Sequence, residues 1–396
     1  MVSNELDDEI VVDAYEESII DNSNFDDPNI DIGDINTIEK EDHKKPKRWK
    51  YVLSILFLLA LFVITIVILL YKYPINEIVK SFDGLDYKYI FIALSMIFVY
   101  IFFEGVAMKL VLRSMRFRVS LLNNITYSAI DYYFCAITPS ATGGQPMVAY
   151  YMAKDKIPLA ETSIVLLINT ALFKIVLLVF SIVALICCPG YIFSRTIIIV
   201  LFILGFLLNV LLVFLCFLGA FSRRRIERTG KKIILLLKRF NLVRSAKLLF
   251  RTFIAKMDDF ERGGRLMKNH KSLIALALLS NFLQRIALFS VGFFVYLAFI
   301  PVLKENDPNF VMVGFIELFA IQVIIAISVD SLPLPGGVGI SEWLYIFLFE
   351  FIYGTEVVIA SAMMVTRAIS FYIPLLVTSV IFIIKHISVI VKSRRK

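Results

Sequence analysis

Ser331-Leu332-Pro333-Leu334-Pro335-Gly336-Gly337-Val338-Gly339 interrupts an apolar stretch that runs from about 310 to 353. Proline removes a backbone N–H and clashes with the preceding turn, and paired glycines permit turns that a Cβ would forbid, so no helix continues through this segment. The arms on either side are apolar, yet each is too short to cross about 30 Å of hydrocarbon alone. A second stretch, about 121–154, is broken in the same way by Thr138-Pro139-Ser140-Ala141-Thr142-Gly143-Gly144-Gln145-Pro146. Irregular backbone at membrane depth is tolerated only where protein or a polar cavity satisfies it. Each stretch therefore reads as a re-entrant helical hairpin with its tip inside the membrane, the alternative being a pair of kinked full spans.

Around these breaks the chain is apolar in long blocks. Hydrophobic residues make up 59% of 396 and charged residues 19%, against roughly 45–50% and 25% in soluble domains. Apolar runs cover about 51–71, 88–110, 159–187, 194–219, 272–302 and 356–386, each long enough to span a bilayer. The expected fold is all-α and polytopic, with about six full spans and two re-entrant helical hairpins. Basic clusters before the first run, at Arg113, Arg116 and Arg118, in 222–271, and at Lys392, Arg394, Arg395 and Lys396 place both termini in the cytoplasm by the positive-inside rule. The expected location is the cell membrane, multi-pass.

Five segments follow. Residues 1–42 hold fifteen Asp or Glu and one Lys, too polar to offset their ordering entropy, and are expected to be a disordered acidic cytoplasmic tail. Residues 43–221 hold the first membrane repeat. A basic amphipathic insertion, 222–271, has apolar residues at helical spacing among its cations; it fits helices lying on an anionic leaflet or a small hairpin packed on the bundle. Residues 272–386 complete a second repeat that begins near 194, and 387–396 form a basic cytoplasmic tail. The net charge of +8 rises to +22 once the acidic tail is removed. That excess marks topology and lipid contact rather than nucleic acid.

The halves echo each other. Gly144 is followed thirty residues later by Lys174, and Gly337 thirty residues later by Arg367. The order span, hairpin, span recurs from the opposite side, so 51–187 and 194–386 read as an inverted repeat, a transporter design with half-sites near the midplane.

Charged side chains in hydrocarbon are costly and mark function by default. The candidates for headgroup binding or intramembrane charge are Lys174, Arg367, Arg285, Asp131, Glu104, Glu317, Asp330 and Glu342, with Asn281 and Gln284 beside Arg285. Glu104 or Asp131 is expected to compensate Lys174, and Glu317 or Asp330 to compensate Arg367 or Arg285; such pairs would also serve simply to hold the bundle. The tips Pro139, Gly143, Gly144, Pro333, Pro335, Gly336, Gly337 and Gly339 precede half-helices whose free N–H groups suit an anion. Four cysteines and three histidines lack disulfide or zinc spacing, and no nucleophile elbow or metal motif is present. No metal, cofactor or catalytic residue is expected.

The stretches TPSATGGQPMVAYYMAKDKIPLAETS (138–163) and SLPLPGGVGISEW (331–343), helped by RSMRFRVSLLNN (113–124), resemble the flippase-like transmembrane family found in the N-terminal half of bacterial lysylphosphatidylglycerol synthases, the multiple-peptide-resistance proteins. Pro139, Gly143, Gly144, Pro333, Pro335, Gly336, Gly337, Gly339 and Glu342 stand at matching places, and the similarity covers about 50–390. The resemblance implies movement of an anionic or aminoacylated phospholipid of phosphatidylglycerol type between leaflets. It does not imply the synthase reaction, which relatives perform with a separate soluble domain; the chain runs out at Lys396 just after its last apolar run, so that domain is expected to be absent. A separate lipid-synthesising enzyme and a homo-oligomer are compatible partners. Two other classes stay open: an accessory scaffold for envelope lipid or glycolipid synthesis, and an intramembrane lipid-modifying transferase.

Overall fold

The computed structural model describes residues 82–138, 141–221, 262, 265–266, 268–306, 310–330, 332, 337 and 339–394, all within one compact unit of the chain. The expectations for the acidic tail, the apolar run 51–71, most of the insertion and part of each tip fall outside these residues.

Every regular element described is helical. Helix α1 (Tyr87–Ser114) starts at Asp86, whose carboxylate accepts from Lys88 N at 3.1 Å. Helix α2 (Leu121–Ile137) starts at Ser120, which accepts from Asn123 N at 3.2 Å; these caps satisfy donors that a helix start leaves free. Thr138 ends α2 in an extended conformation, as the following Pro139 demands. After the first break come α3 (Gly144–Lys154) and α4 (Leu159–Cys187). Then follow α5 (Thr196–Phe221) and the long α6 (Lys271–Asn306). Helices α7 (Phe315–Val329) and α8 (Ile340–Tyr353) flank the second break. Last come α9 (Glu356–Arg367), a π turn at Ala368–Tyr372, and α10 (Ile373–Arg394).

Among the described residues, five segments are long and apolar enough to cross a membrane: Tyr87–Ser114, Glu161–Cys187, Thr196–Cys216, Lys271–Glu305 and Glu356–Val391. They coincide with five of the six expected runs. The arms at the breaks are shorter, with 17, 11, 15 and 14 residues in α2, α3, α7 and α8. At 1.5 Å per residue the longest of these covers about 26 Å. The order long helix, broken pair, long helix thus occurs twice, as α1 to α4 and as α6 to α10.

The bundle closes through small residues. A Cβ on Gly105 of α1 would lie 2.9 Å from the Ile125 backbone of α2, and one on Gly205 of α5 would run into the Ile327 carbonyl of α7. Close backbone approach of this kind is how helices gain packing where no hydrophobic force separates them from lipid. The core behind it is aromatic, with Tyr296, Phe299, Phe349 and Tyr353 each at most 2% exposed. By contrast Leu204, Leu207, Leu211 and Phe214 on α5, and Leu376, Val380 and Ile384 on α10, are exposed. Apolar faces of this extent are the surface a lipid environment would cover.

The π turn has a local cause. Pro374 has no N–H to give the Ser370 carbonyl, and Tyr132 of α2 donates its hydroxyl to that oxygen at 2.6 Å instead. A freed helix carbonyl at depth is thereby satisfied from a neighbouring helix.

Candidate functional site: a polar centre between broken helices

Lys174 lies midway along α4 and turns to the residue that follows α7. Its Nζ is 2.5 Å from Asp330 Oδ2, and Asn209 of α5 donates to the same oxygen at 3.0 Å. Both charged side chains are largely buried, at 13% and 16% exposure. The ammonium also sits at the C-terminal end of α7, where unpaired carbonyls favour a cation.

The second pair joins the start of α8 to the end of α9. Arg367 Nε is 2.8 Å from Glu342 Oε1, close enough for an ion pair, but neither Glu342 Oε1 nor Arg367 Nη2 makes a hydrogen bond. The other Glu342 oxygen folds back on its own helix, accepting from Gly339 N at 2.6 Å and Ser341 Oγ at 2.9 Å. Gly339 and Gly337 hold φ of 93° and 66°, conformations that favour glycine. The helix start expected to be open to an anion thus already holds a carboxylate of the chain.

A third group lies between α1 and α2. Glu104, 6% exposed, accepts from Ser128 Oγ at 2.9 Å, and its carboxyl is within hydrogen-bonding reach of the Asp131 carboxyl. Asp131 Oδ1 is buried without a donor and lies against Gly144, the first residue of α3, where a Cβ would collide with that oxygen and with Cys135 Sγ. Gly144 is therefore a packing requirement of the first break.

Arg285 of α6 faces both the Lys174–Asp330 pair and Glu104. Its guanidinium stacks on Phe173 of α4 at 3.5 Å from the ring centroid, and Glu104 and Asp330 are its nearest carboxylates without touching it. It is 5% exposed, its Nε is buried without an acceptor, and it makes no ion pair among the described residues. Asn281 and Gln284, four residues and one residue before it on the same helix, are buried too, each with its amide oxygen unpartnered. Orphaned buried polar atoms are costly, so a concentration of them calls for an occupant.

Seven of the eight charged candidates are buried or half-buried among the helices, and the pairing differs from expectation. Lys174 takes Asp330 rather than Glu104 or Asp131, because α7 packs on α4 and α5 while the two acids face each other across α1 and α2. Arg367 takes Glu342 rather than Glu317 or Asp330. Glu317 is exposed at the far end of α7, where it accepts from Gly314 N at 3.0 Å and caps the helix. It lies thirteen residues from Asp330, about 20 Å along the axis.

Other participants went unnoticed in the sequence. Asn209 is a lone amide within an apolar run, and that isolation was its signal. Asp155, after α3, accepts from Lys385 of α10 at 2.6 Å and from Tyr127 of α2 at 2.5 Å, while Tyr151 and His386 Nδ1 are 2.7 Å apart. These contacts fasten α10 to the first broken pair. Among the described residues no group of three or more His, Cys, Asp or Glu could hold a metal.

Described residues that form five long apolar helices, with short helices between them and charged side chains buried among them, define a polytopic integral membrane protein. The chain belongs to the family described as the lysylphosphatidylglycerol synthase transmembrane region, whose model matches residues 51–378. The match covers the membrane part alone, so it carries the fold and not the aminoacyl transfer. No curated protein matches the chain.

Proposed function

We propose that this protein moves a phospholipid with an anionic phosphate, of the phosphatidylglycerol type and including its aminoacylated form, between the leaflets of the cell membrane. The observation that carries the reading is the burial of Lys174, Arg285 and Arg367 within apolar helices, together with buried polar atoms without partners beside Arg285. A phosphate offers acceptors to all three cations, and Arg recognises it in a bidentate manner. The family description supports the lipid class.

In this reading the broken pairs α2–α3 and α7–α8 are re-entrant hairpins, six spans complete the topology, and the halves form an inverted repeat with both termini cytoplasmic. The cations face half-sites reached in turn from each leaflet. The insertion 222–271 rests on anionic lipid, and a separate enzyme supplies aminoacylated substrate.

The test is chemical bleaching of fluorescent phospholipids in the outer leaflet of proteoliposomes. Protein-containing vesicles should expose inner-leaflet phosphatidylglycerol faster than protein-free vesicles and discriminate against phosphatidylethanolamine. Equal rates for vesicles with and without protein, for every headgroup, would sink the reading.

A further inference from the structure

The carboxyl pair Glu104–Asp131 has no task in that scheme, yet it is the least explained group in the interior. Two carboxyl groups within hydrogen-bonding reach form a bond only when one of them carries its proton, since two carboxylates offer no donor. Ser128 supplies one donor to Glu104, and Asp131 Oδ1 has none. No cation touches either group among the described residues. The titratable side chains facing the pair are Tyr100 of α1, Tyr132 and Cys135 of α2, and Arg285 of α6. Lys174 of α4 is held by Asp330, Arg367 faces Tyr132, and Lys385 and His386 of α10 are engaged with Asp155 and Tyr151.

Arg285 is the second, independent observation. It is 5% exposed, has an orphaned Nε and lacks a touching carboxylate, so an anion can join it without displacing an internal partner. Lys174 and Arg367 would first have to release Asp330 and Glu342. With one proton on the carboxyl pair, its remaining negative charge balances Arg285. A phosphate arriving at Arg285 removes that balance and leaves a net negative charge in a dry interior.

We propose that the Glu104–Asp131 pair is a proton site, and that a lipid phosphate at Arg285 and a second proton on this pair bind together. The inference rests on the lipid-transport reading and names its coupling ion. Coupling follows from linkage: the phosphate favours the proton, and the proton favours the phosphate to the same degree. Gly144 packs directly on Asp131 Oδ1, so the proton is sensed at the first residue of the α3 half-helix. One phosphate charge and one proton cross together, making the cycle electroneutral.

Two experiments on the full chain decide it. In weakly buffered detergent solution, adding glycerophosphoglycerol, a phosphodiester that does not titrate near neutrality, to the wild type should take up about one proton per headgroup bound, read with a pH indicator. Each single variant, Glu104→Gln or Asp131→Asn, leaves one carboxylate to take the proton; the double variant Glu104→Gln/Asp131→Asn keeps an acceptor for Ser128, holds no titratable carboxyl at the pair, and should bind without uptake. Uptake by the double variant equal to wild type, or none by the wild type, overturns the proposal. In wild-type proteoliposomes, one pH unit across the membrane should drive about a tenfold leaflet ratio of fluorescent phosphatidylglycerol for one proton per lipid, and an imposed potassium diffusion potential should drive none. A ratio that follows the potential overturns it. Vesicles that move no lipid at all refute the transport reading, and the proton-uptake experiment then judges the site by itself.

Discussion

Replacing Lys174 with methionine isolates the ion pair that joins α4 to the end of α7. The substitution keeps most of the apolar stem and removes the ammonium 2.5 Å from Asp330. Asp330 would keep one donor, the Asn209 amide at 3.0 Å, and its side chain is 16% exposed. Removing one partner of a buried pair typically costs about 3–5 kcal/mol, because the other charge is left uncompensated. The surviving amide bond and the slight exposure put this site near the lower end, about 3 kcal/mol. Adding Asp330→Asn removes the stranded charge while leaving an acceptor for Asn209. The double variant K174M/D330N should therefore regain most of the loss, with a coupling energy of about 2 kcal/mol. Denaturant titration of the four proteins in detergent micelles measures the cycle. Costs that simply add would show that the two charges do not stabilise each other, and the reasoning would fail.

Three further outcomes follow from the packing. Tyr132→Phe strips the Ser370 carbonyl of its donor at the π turn and should lower stability by about 1–3 kcal/mol, seen as a lower denaturant midpoint and faster deuterium exchange in 368–378. Gly205→Val forces a side chain into the Ile327 carbonyl; the separation of α5 from α7 should cost at least about 1–3 kcal/mol and lower the yield of folded protein, whereas valine at Gly190, where a Cβ meets nothing, should be silent. Glu342→Gln retains the cap on Gly339 N but frees Arg367 of its counter-charge. It should fold with wild-type helix content and bind glycerol phosphate several-fold more tightly, read by isothermal titration; unchanged affinity would remove Arg367 from the headgroup site.

The sequence revealed helices where a single physical rule governs them. Spans 88–110 and 272–302 are set by apolar length, and the structure places α1 and α6 there within a few residues. Pro139 and the glycines at 336, 337 and 339 announce breaks because they remove a donor or a Cβ. Charge pairing was not legible, since it depends on which helices cross, and no local pattern tells α4 that its partner follows α7. The capping role of Glu317 is legible in its spacing. Gly314 to Glu317 and Gly339 to Glu342 share the three-residue spacing of a capping box, and in both the carboxylate reaches back to the glycine N–H. The same pattern yields an exposed cap at one helix and a buried ion-pair partner at the other, because only the second has Arg367 opposite. Asn209 and Tyr132 act through tertiary neighbours, Asp330 and Ser370, which spacing along the chain does not reveal.

The central claim is that an anionic phospholipid crosses the membrane by way of the buried cations. Its most direct test compares leaflet exchange of fluorescent phosphatidylglycerol in proteoliposomes holding wild type, Arg285→Gln or Arg367→Gln, after circular dichroism and gel filtration confirm that each is folded. The account expects rapid exchange by the wild type and a loss of at least about tenfold in each variant, as removal of one charged contact of about 1.5–3 kcal/mol implies. Exchange by both folded variants at the wild-type rate would contradict it.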